Sequence, residues 1–419
     1  MAVPAPRSSG WPEDRQLAFL QEHAAELIDA ALAQERPAPD GLPAACPAPP
    51  LQVQLQHRPG AGISALYELP WERGGGFIGL TTEPVGPVPG TVSVEVPAGE
   101  ESDAGSLTVH LWRHPDDPRL PGLALAASPE RVAGHWGAEG RLEKIETVTY
   151  RPLRRAVLRA EFVLPGPLSV RRRVYLKVMR PPLAAELHHR HTLLAAAGLP
   201  VPRPLGDPVL DVVALGEAPG VPLSRSLLSD GAAGVDPAVL TALLDGLPPE
   251  VLELPRRPAW SDRLRHYASA AAVALPAHEE RIGRLRSRLG RLLDSTDRGP
   301  VVPSHGDFYE ANLLMDGSRV SGLLDVDSVG PGHRVDDLAC FLGHLAVLPA
   351  VDARYVHVPA AVDRFGAAFE DGVDRRALWT RAAAVAVSLV AGARTPGATG
   401  WEPSARARLA AAEALLERL

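Results

Sequence analysis

A segment in the last third of the chain, SHGDFYEANLLMDGSRVSGLLDVDS (Ser304–Ser328), carries three oxygen-bearing side chains that could act together. Asp307, Asn312 and Asp325 offer two carboxylates and one neutral amide oxygen. Mg²⁺ takes hard oxygen ligands, and phosphoryl transfer from ATP also needs a carboxylate that receives the proton of the attacking hydroxyl. We therefore predict that Asn312 and Asp325 bind magnesium and that Asp307 is the catalytic base.

Composition makes two residue types in this chain unusually informative. Of the 43 basic residues only Lys144 and Lys177 are lysine, and Asn312 is the only asparagine in the chain. Such a bias is typical of a GC-rich genome, in which Arg replaces Lys and Asn is lost wherever the chemistry permits. A lysine or asparagine that persists is therefore a stronger candidate for a chemical role.

Lys177 lies in the strand-like segment RRRVYLKVMR, where this bias would favour another arginine. A lysine ammonium is a compact point charge that fits between phosphate groups better than the broad guanidinium fork does. We predict that Lys177 binds nucleotide phosphates. Its predicted partner is Glu186, the only acid in the following helical segment AAELHHRHTLLAAAGL, although a surface position for Glu186 stays open.

The elements around the first segment must bring its three side chains together. The Asp-Gly pair at 316–317 lies between two apolar runs and predicts a hairpin. With that turn Met315 pairs with Val320, and counting back along the strands places Asn312 opposite Leu323. Both metal ligands then lie at the open end of the hairpin, and the loop that carries the base leads into the same end.

Along the whole chain the patterns predict an α+β protein in three parts. Residues 1–140 form an extension with an amphipathic helix over 12–35, a proline-rich linker over 36–50 and β-hairpins. Residues 141–220 form a small β-rich lobe, and residues 221–419 form a larger helical lobe. This order favours a bilobal fold in which the small lobe precedes the large one.

Charge, hydropathy and cysteine usage exclude several classes of protein. A net charge of −7 disfavours nucleic acid as a partner, and no apolar run is long enough to span a membrane. The amino-terminal residues lack the pattern of an export signal. Cys46 and Cys340 form no disulfide framework, so we expect a cytoplasmic protein.

The segments HGDFYEAN, GLLDVDSVGPGHRVDDLACFL and GLPVPRPLG, together with the Lys177 strand, resemble the aminoglycoside phosphotransferase superfamily over about residues 143–393. That group includes choline kinases and shares the protein-kinase-like fold. The resemblance implies a bilobal small-molecule kinase that uses ATP and Mg²⁺. It also implies the roles given above to the catalytic base, the metal ligands and the Lys177–Glu186 ion pair.

The same resemblance assigns two further positions. The strand Val213–Glu217 would be the hinge, with Leu215 and Glu217 near the adenine of the nucleotide. Asp337, twelve residues after Asp325, matches the family's structural aspartate and would hold the catalytic loop.

Three departures from the family pattern leave alternatives open. Glu310 replaces a usual loop residue and either reaches the acceptor or faces solvent. The segment TYRPLRRAV carries no glycine-rich phosphate loop, so Arg151, Arg154 or Arg155 would contact phosphates instead. The extension of about 140 residues is similar to the amino-terminal cap of maltokinases, although no motif identifies it.

We therefore predict a kinase that phosphorylates a hydroxyl of a small polar molecule, either an aminoglycoside-like acceptor or a sugar. The alternative is a catalytically silent, nucleotide-binding pseudokinase that acts as a regulatory or interaction module. Retention of the lysine, both aspartates and the asparagine argues against that alternative.

Overall fold

The structure is a computed structural model that describes residues 11–35, 48–58, 62–70, 76–97, 105–137, 140–166, 170–394 and 400–419. The chain divides into two compact units, residues 1–186 with 205–216 and residues 187–204 with 217–419. Most of the linker predicted over 36–50 lies outside the described residues, and the three-part division stays a prediction. Among the described helices, none has the length and apolar character that a membrane span requires.

The first unit contains two antiparallel sheets. Its elements are α1 (Glu13–Glu35), β1 (Leu51–Arg58), β2 (Gly62–Leu69), β3 (Gly76–Thr81), β4 (Thr91–Val96), β5 (Leu107–Arg113), α2 (Leu123–Ala126), α3 (Pro129–Trp136), β6 (Arg141–Arg151), β7 (Arg155–Val163), β8 (Arg171–Met179) and β9 (Val212–Gly216). The five-stranded sheet has the order β1-β2-β3-β5-β4, and the four-stranded sheet has the order β6-β7-β8-β9. The apolar face of α1 packs on the five-stranded sheet.

Residues from both sides of position 140 share the core of the four-stranded sheet. Strands β7 and β8 alternate buried and half-buried residues, as strands with one covered face do. One cluster joins these strands to β2, to the segment before α2, and to α2 and α3; its large members include Leu66, Leu120, Leu125, Trp136, Leu158, Phe162 and Leu176. One face of this sheet is therefore covered by residues from the amino-terminal part of the chain.

The second unit is mainly helical, with two small antiparallel sheets. Its elements are α4 (Leu183–Ala196, which begins in the first unit), β10 (Val221–Pro222), α5 (Leu223–Asp230), α6 (Pro237–Asp245), α7 (Leu264–Ala274), α8 (Glu279–Ser295), β11 (Val301–Ser304), β12 (Leu313–Asp316), β13 (Arg319–Leu323), β14 (Gly330–His333), α9 (Arg334–Val351), α10 (Val358–Glu370), α11 (Arg375–Ser388) and α12 (Glu402–Leu416). Helix α11 is buried from Ala377 to Val387 against its neighbours, which makes it the centre of the helical core.

The predicted hairpin is present as β12 and β13, with one correction to its register. Met315 pairs with Val320, as predicted. Leu313, and not Asn312, lies opposite Leu323. The prediction for Asn312 was wrong by one residue, and this residue ends a short 3₁₀ turn just before β12.

A bulge in β13 causes this shift. Leu314 pairs with Gly322, so Ser321 has no residue opposite it on β12. An extra residue of this kind is what defines a β-bulge. The Ser321 hydroxyl donates a hydrogen bond of 2.8 Å to the Pro219 carbonyl beside β10, so the bulge directs this side chain to the neighbouring segment.

Candidate active site

The loop after β11 is shaped by a buried histidine and a glycine. Nε2 of His305 donates to the Leu324 carbonyl at 3.0 Å, and Nδ1 accepts from the Asp307 amide at 3.4 Å. Burial lowers the pKa of His305, which fits a neutral ring with one donor and one acceptor. Gly306 has a φ of +80°, and a Cβ there would lie 2.7 Å from the Ser328 carbonyl oxygen. No larger residue fits this turn without strain.

Asp337, in the first turn of α9, holds the same loop through hydrogen bonds to its carboxylate. One carboxylate oxygen accepts from the Ser304 hydroxyl at 2.8 Å and from the His305 amide at 2.9 Å. The other accepts from the Gly306 amide at 2.7 Å. Asp337 is 1% exposed, and the three donors stabilise the negative charge of its carboxylate. The predicted loop-holding contacts of Asp337 are therefore present.

One side-chain and one backbone hydrogen bond gather the three predicted oxygen donors at the open end of the hairpin. The side-chain Nδ2 of Asn312 donates to the Asp307 backbone carbonyl at 2.9 Å. The Asn312 carbonyl accepts from the Leu324 amide at 2.8 Å, and Asp325 follows directly with a left-handed backbone at φ 52° and ψ 54°. The structure therefore places Asp307, Asn312 and Asp325 in one region of the second unit.

This donor set fits a magnesium ion. Because the side-chain Nδ2 of Asn312 donates to a carbonyl, the side-chain Oδ1 is the atom that could bind a cation. An amide oxygen and the Asp325 carboxylate are both hard oxygen ligands of the kind Mg²⁺ prefers. Asn312 is 6% exposed, so its orientation is fixed by packing as well as by the hydrogen bond.

Trp260 contacts the predicted base, and sequence analysis did not find it. Its indole Nε1 donates to a carboxylate oxygen of Asp307 at 3.1 Å. The indole stacks on Tyr267 with centroids 5.5 Å apart. It begins a short 3₁₀ helix whose Asp262 carboxylate accepts from the Ala259 amide at 2.9 Å. Trp260 lies 47 positions before Asp307, and no local motif links the two.

Glu310 is buried near Asp307. Its residue is 5% exposed, and among the described residues its Oε2 atom has no hydrogen-bond partner. Burial, with a smaller contribution from the charge of Asp307, raises the pKa of Glu310 to about 7. The solvent-facing alternative for this residue was wrong. Contact with an acceptor stays a prediction.

Helix α9 places a thiol and an imidazole against Asp307. The ligand atoms of Asp307, Cys340 and His344 all lie within 4.8 Å of one another. Cys340 is 2% exposed, and burial raises its thiol pKa well above the usual value, with a further contribution from nearby carboxylates. Burial lowers the pKa of His344 to about 4. The His344 ring stacks on Tyr309 with centroids 4.1 Å apart.

The nucleotide-side residues lie in regular elements, and their binding roles stay predictions. Lys177 is half-buried in β8, where it pairs with Val213 of β9. Glu186 lies in the first turn of α4. Leu215 lies in β9 and is 2% exposed, and Glu217 follows that strand.

The turn between β6 and β7, which lacks a glycine-rich sequence, is held by a buried aspartate from the preceding part of the chain. A single oxygen of Asp117 accepts from the Leu153 amide and from the Tyr150 hydroxyl, each at 2.8 Å. The Tyr150 hydroxyl accepts in turn from the Trp112 indole at 2.9 Å. Leu153 has a φ of 63°, a conformation that costs a non-glycine residue about 1 kcal/mol or more and needs such support.

The described elements define an α+β protein with antiparallel sheets and a mainly helical second unit. The model of the phosphotransferase enzyme family, APH, matches residues 168–414, which include the loop after β11, the β12–β13 hairpin and α9. The chain therefore belongs to this phosphotransferase family. No curated protein matches the chain at a significant level.

Solved structures that match the chain include a choline/ethanolamine kinase family protein and two antibiotic phosphotransferases. A choline/ethanolamine kinase family protein from Mesorhizobium loti is 18% identical, with a TM-score of 0.47 over 70% of this chain and 94% of that one. A thermostable mutant of aminoglycoside phosphotransferase APH(4)-Ia, in complex with ADP and hygromycin B, is 13% identical, with a TM-score of 0.49 over 70% and 98%. The macrolide 2'-phosphotransferase MphH from Brachybacterium faecium is 19% identical, with a TM-score of 0.38 over 68% and 97%.

Proposed function

We propose that this family member is a kinase that transfers the γ-phosphate of ATP to a hydroxyl of an aminoglycoside-like or sugar acceptor. The observation that carries the proposal is the loop in which Asp337 accepts three hydrogen bonds and presents Asp307 beside Asn312. Because the loop holds these side chains in place before the reaction, no free energy is needed to reorganise them during it. Electrostatic and positional catalysis depend on this preorganisation. We also propose that the protein acts in the cytoplasm.

In the proposed reaction Asp307 accepts the proton of the acceptor hydroxyl as its oxygen bonds to the γ-phosphorus. The bond from that phosphorus to the bridging oxygen breaks, and ADP leaves. The Trp260 indole donates a hydrogen bond to one oxygen of the Asp307 carboxylate, which helps to fix the orientation of this base. Asn312 and Asp325 would hold Mg²⁺, which neutralises charge on the phosphates when bound. Lys177, with Glu186 as its predicted partner, would bind nucleotide phosphates.

The test is ADP release with Mg²⁺-ATP over a panel of aminoglycosides, maltose, glucosamine, choline and homoserine. For an acceptor that is turned over, Asp307→Asn is expected to lower kcat by a factor of about 10²–10⁴, the usual contribution of a general base. Binding of ATP, measured by calorimetry, should change less than threefold, since Asp307 contacts the acceptor and not the nucleotide.

The matched control is Asp316→Asn, an exposed aspartate in the turn of the same hairpin. It should leave turnover at the wild-type level. Near-normal turnover in Asp307→Asn would refute its assignment as the base. ATP binding without ADP release for any acceptor would favour the regulatory pseudokinase.

A further inference from the structure

The cluster of Asp307, Cys340 and His344 joins the predicted base to a thiol and an imidazole, two groups that the proposed phosphoryl transfer does not use. A carboxylate oxygen, a sulfur and a ring nitrogen all lie within 4.8 Å of one another. Cys340 and His344 are four residues apart on α9, so they lie on one face of the helix, one turn apart. Such an oxygen, sulfur and nitrogen set is unlike the all-oxygen set that magnesium prefers.

We propose that Asp307, Cys340 and His344 form a site for Zn²⁺ and that zinc bound there inhibits the phosphotransferase. Three protein ligands of these types, with a fourth position left for water, are typical of open zinc sites. Two of the three come from a single well-packed helix, so little rearrangement is needed to bring the donors together.

The surroundings of the cluster favour a cation. The Nε2 atom of His344 is buried and has no hydrogen-bond partner among the described residues, so a ring nitrogen is available to a metal. The ring is held in place by stacking on Tyr309 and by an edge contact with Trp260, with centroids 4.1 Å and 6.1 Å away. The carboxylates of Asp307, Asp337 and Glu310 act electrostatically on the Cys340 thiol, which makes the local field negative.

Binding would be a proton-exchange step. The zinc–sulfur bond forms as the Cys340 thiol loses its proton, and that proton passes to the solvent. The Asp307 carboxylate, once bound to zinc, is no longer able to accept the proton of an acceptor hydroxyl. The inhibitory part of this proposal rests on the proposed function, whereas the binding part rests on the cluster alone.

The binding part is tested with Co²⁺, a spectroscopic substitute for zinc, added to the full-length protein without nucleotide. A thiolate bound to Co²⁺ gives a charge-transfer band in the near ultraviolet. We expect a band that saturates at one equivalent and that Zn²⁺ displaces. Cys340→Ala and, independently, His344→Gln should abolish the band or weaken cobalt affinity at least about tenfold. Circular dichroism and thermal melting check that each variant is folded.

The chain offers a matched control for each variant. Cys46→Ser removes the other cysteine of the chain, and His189→Gln removes an exposed histidine of α4. Both should keep the band. Absence of the band in the wild-type protein, its persistence in Cys340→Ala, or its loss in Cys46→Ser would each overturn the proposed site.

The inhibitory part is tested by titrating Zn²⁺ into the phosphotransfer assay at constant Mg²⁺-ATP. We expect the zinc concentration for half-inhibition to rise at least tenfold in Cys340→Ala and to stay unchanged in Cys46→Ser. Equal inhibition of wild type and Cys340→Ala would overturn this part. A Cys340-dependent cobalt band in a protein that phosphorylates no acceptor would support the metal site and refute the proposed function, so the two failures are distinguishable.

Discussion

The buried carboxylate of Asp337 connects helix α9 to the loop after β11 through three hydrogen bonds. Replacement by alanine removes the acceptor for the Ser304 hydroxyl and for two loop amides. A buried donor without an acceptor costs about 1–3 kcal/mol, so Asp337→Ala should lower the free energy of unfolding by about 3 kcal/mol or more. Urea denaturation measures this change. Asp316→Ala, at an exposed turn, should cost less than about 0.5 kcal/mol, and equal losses in both variants would contradict the argument.

Glu310 gives a second prediction, in which pH is the variable. Its pKa rises from 4.5 to about 7 on folding, so between these values the folded state holds a proton that the unfolded state has lost. The free energy of unfolding therefore falls as pH rises through this window, by up to about 3 kcal/mol from this residue. Glu310→Gln should remove that part of the pH dependence.

The measurement is urea unfolding of metal-free protein at pH 5, 6, 7 and 8. The difference in stability between pH 5 and pH 8 should be smaller in Glu310→Gln than in the wild type. In Glu250→Gln, an exposed glutamate of the same unit, the difference should match the wild type. An unchanged pH dependence in Glu310→Gln would show that Glu310 titrates alike in both states.

At the scale of elements, the turn between β6 and β7 is held by a chain of hydrogen bonds from the preceding segment. Tyr150→Phe removes a hydroxyl that donates to Asp117 and accepts from Trp112, and leaves the indole without an acceptor. We expect a loss of about 1–3 kcal/mol in the free energy of unfolding.

The control for this variant is Tyr67→Phe in β2, since Tyr67 is also buried but its hydroxyl has no hydrogen bond to another described residue. Its cost should be well below that of Tyr150→Phe. If Mg²⁺-ATP binds at this turn, Tyr150→Phe should also raise the KM for ATP while the KM for the acceptor stays constant. Equal unfolding free energies for the two variants would contradict the role of the hydrogen-bond chain.

Sequence patterns predicted elements best where the signal is local. The Asp-Gly turn predicted the hairpin and the Met315–Val320 pair, but the register beyond it depended on the bulge at Ser321. That bulge is accompanied by a hydrogen bond to Pro219, which is 102 positions away, and alternation along a strand contains no such information. The same limit explains why Asp337, which belongs to a motif, was predicted and Trp260 was missed. The sequence does not predict whether Glu310 is buried, because the residues next to it are equally compatible with an exposed loop.

At the scale of the whole molecule, the family match begins later in the chain than the residues that form the core of the four-stranded sheet. The match begins at residue 168, so it leaves out strands β6 and β7 of the four-stranded sheet. The core of that sheet, however, includes Leu66, Leu125 and Trp136, which all lie in the predicted extension. Homology alone would permit removal of this extension, whereas packing predicts that the sheet needs it.

A chain that begins at residue 141 should therefore fail to form a stable first unit. Its four-stranded sheet would expose the face that carries Leu158, Leu176 and Val178, each at most 1% exposed in the full chain. Burial of one such side chain is worth about 1.5–3 kcal/mol, so exposing these three would cost about 4.5–9 kcal/mol, which is comparable with the roughly 5–15 kcal/mol by which a whole domain is typically stable. We expect aggregation, or loss of the cooperative unfolding transition in calorimetry. A chain that begins at Trp11 is the control, because it keeps every described residue and should melt as the full chain does. If the chain that begins at residue 141 melts cooperatively at a near-normal temperature, the four-stranded sheet is stable without the amino-terminal segments, and the prediction is wrong.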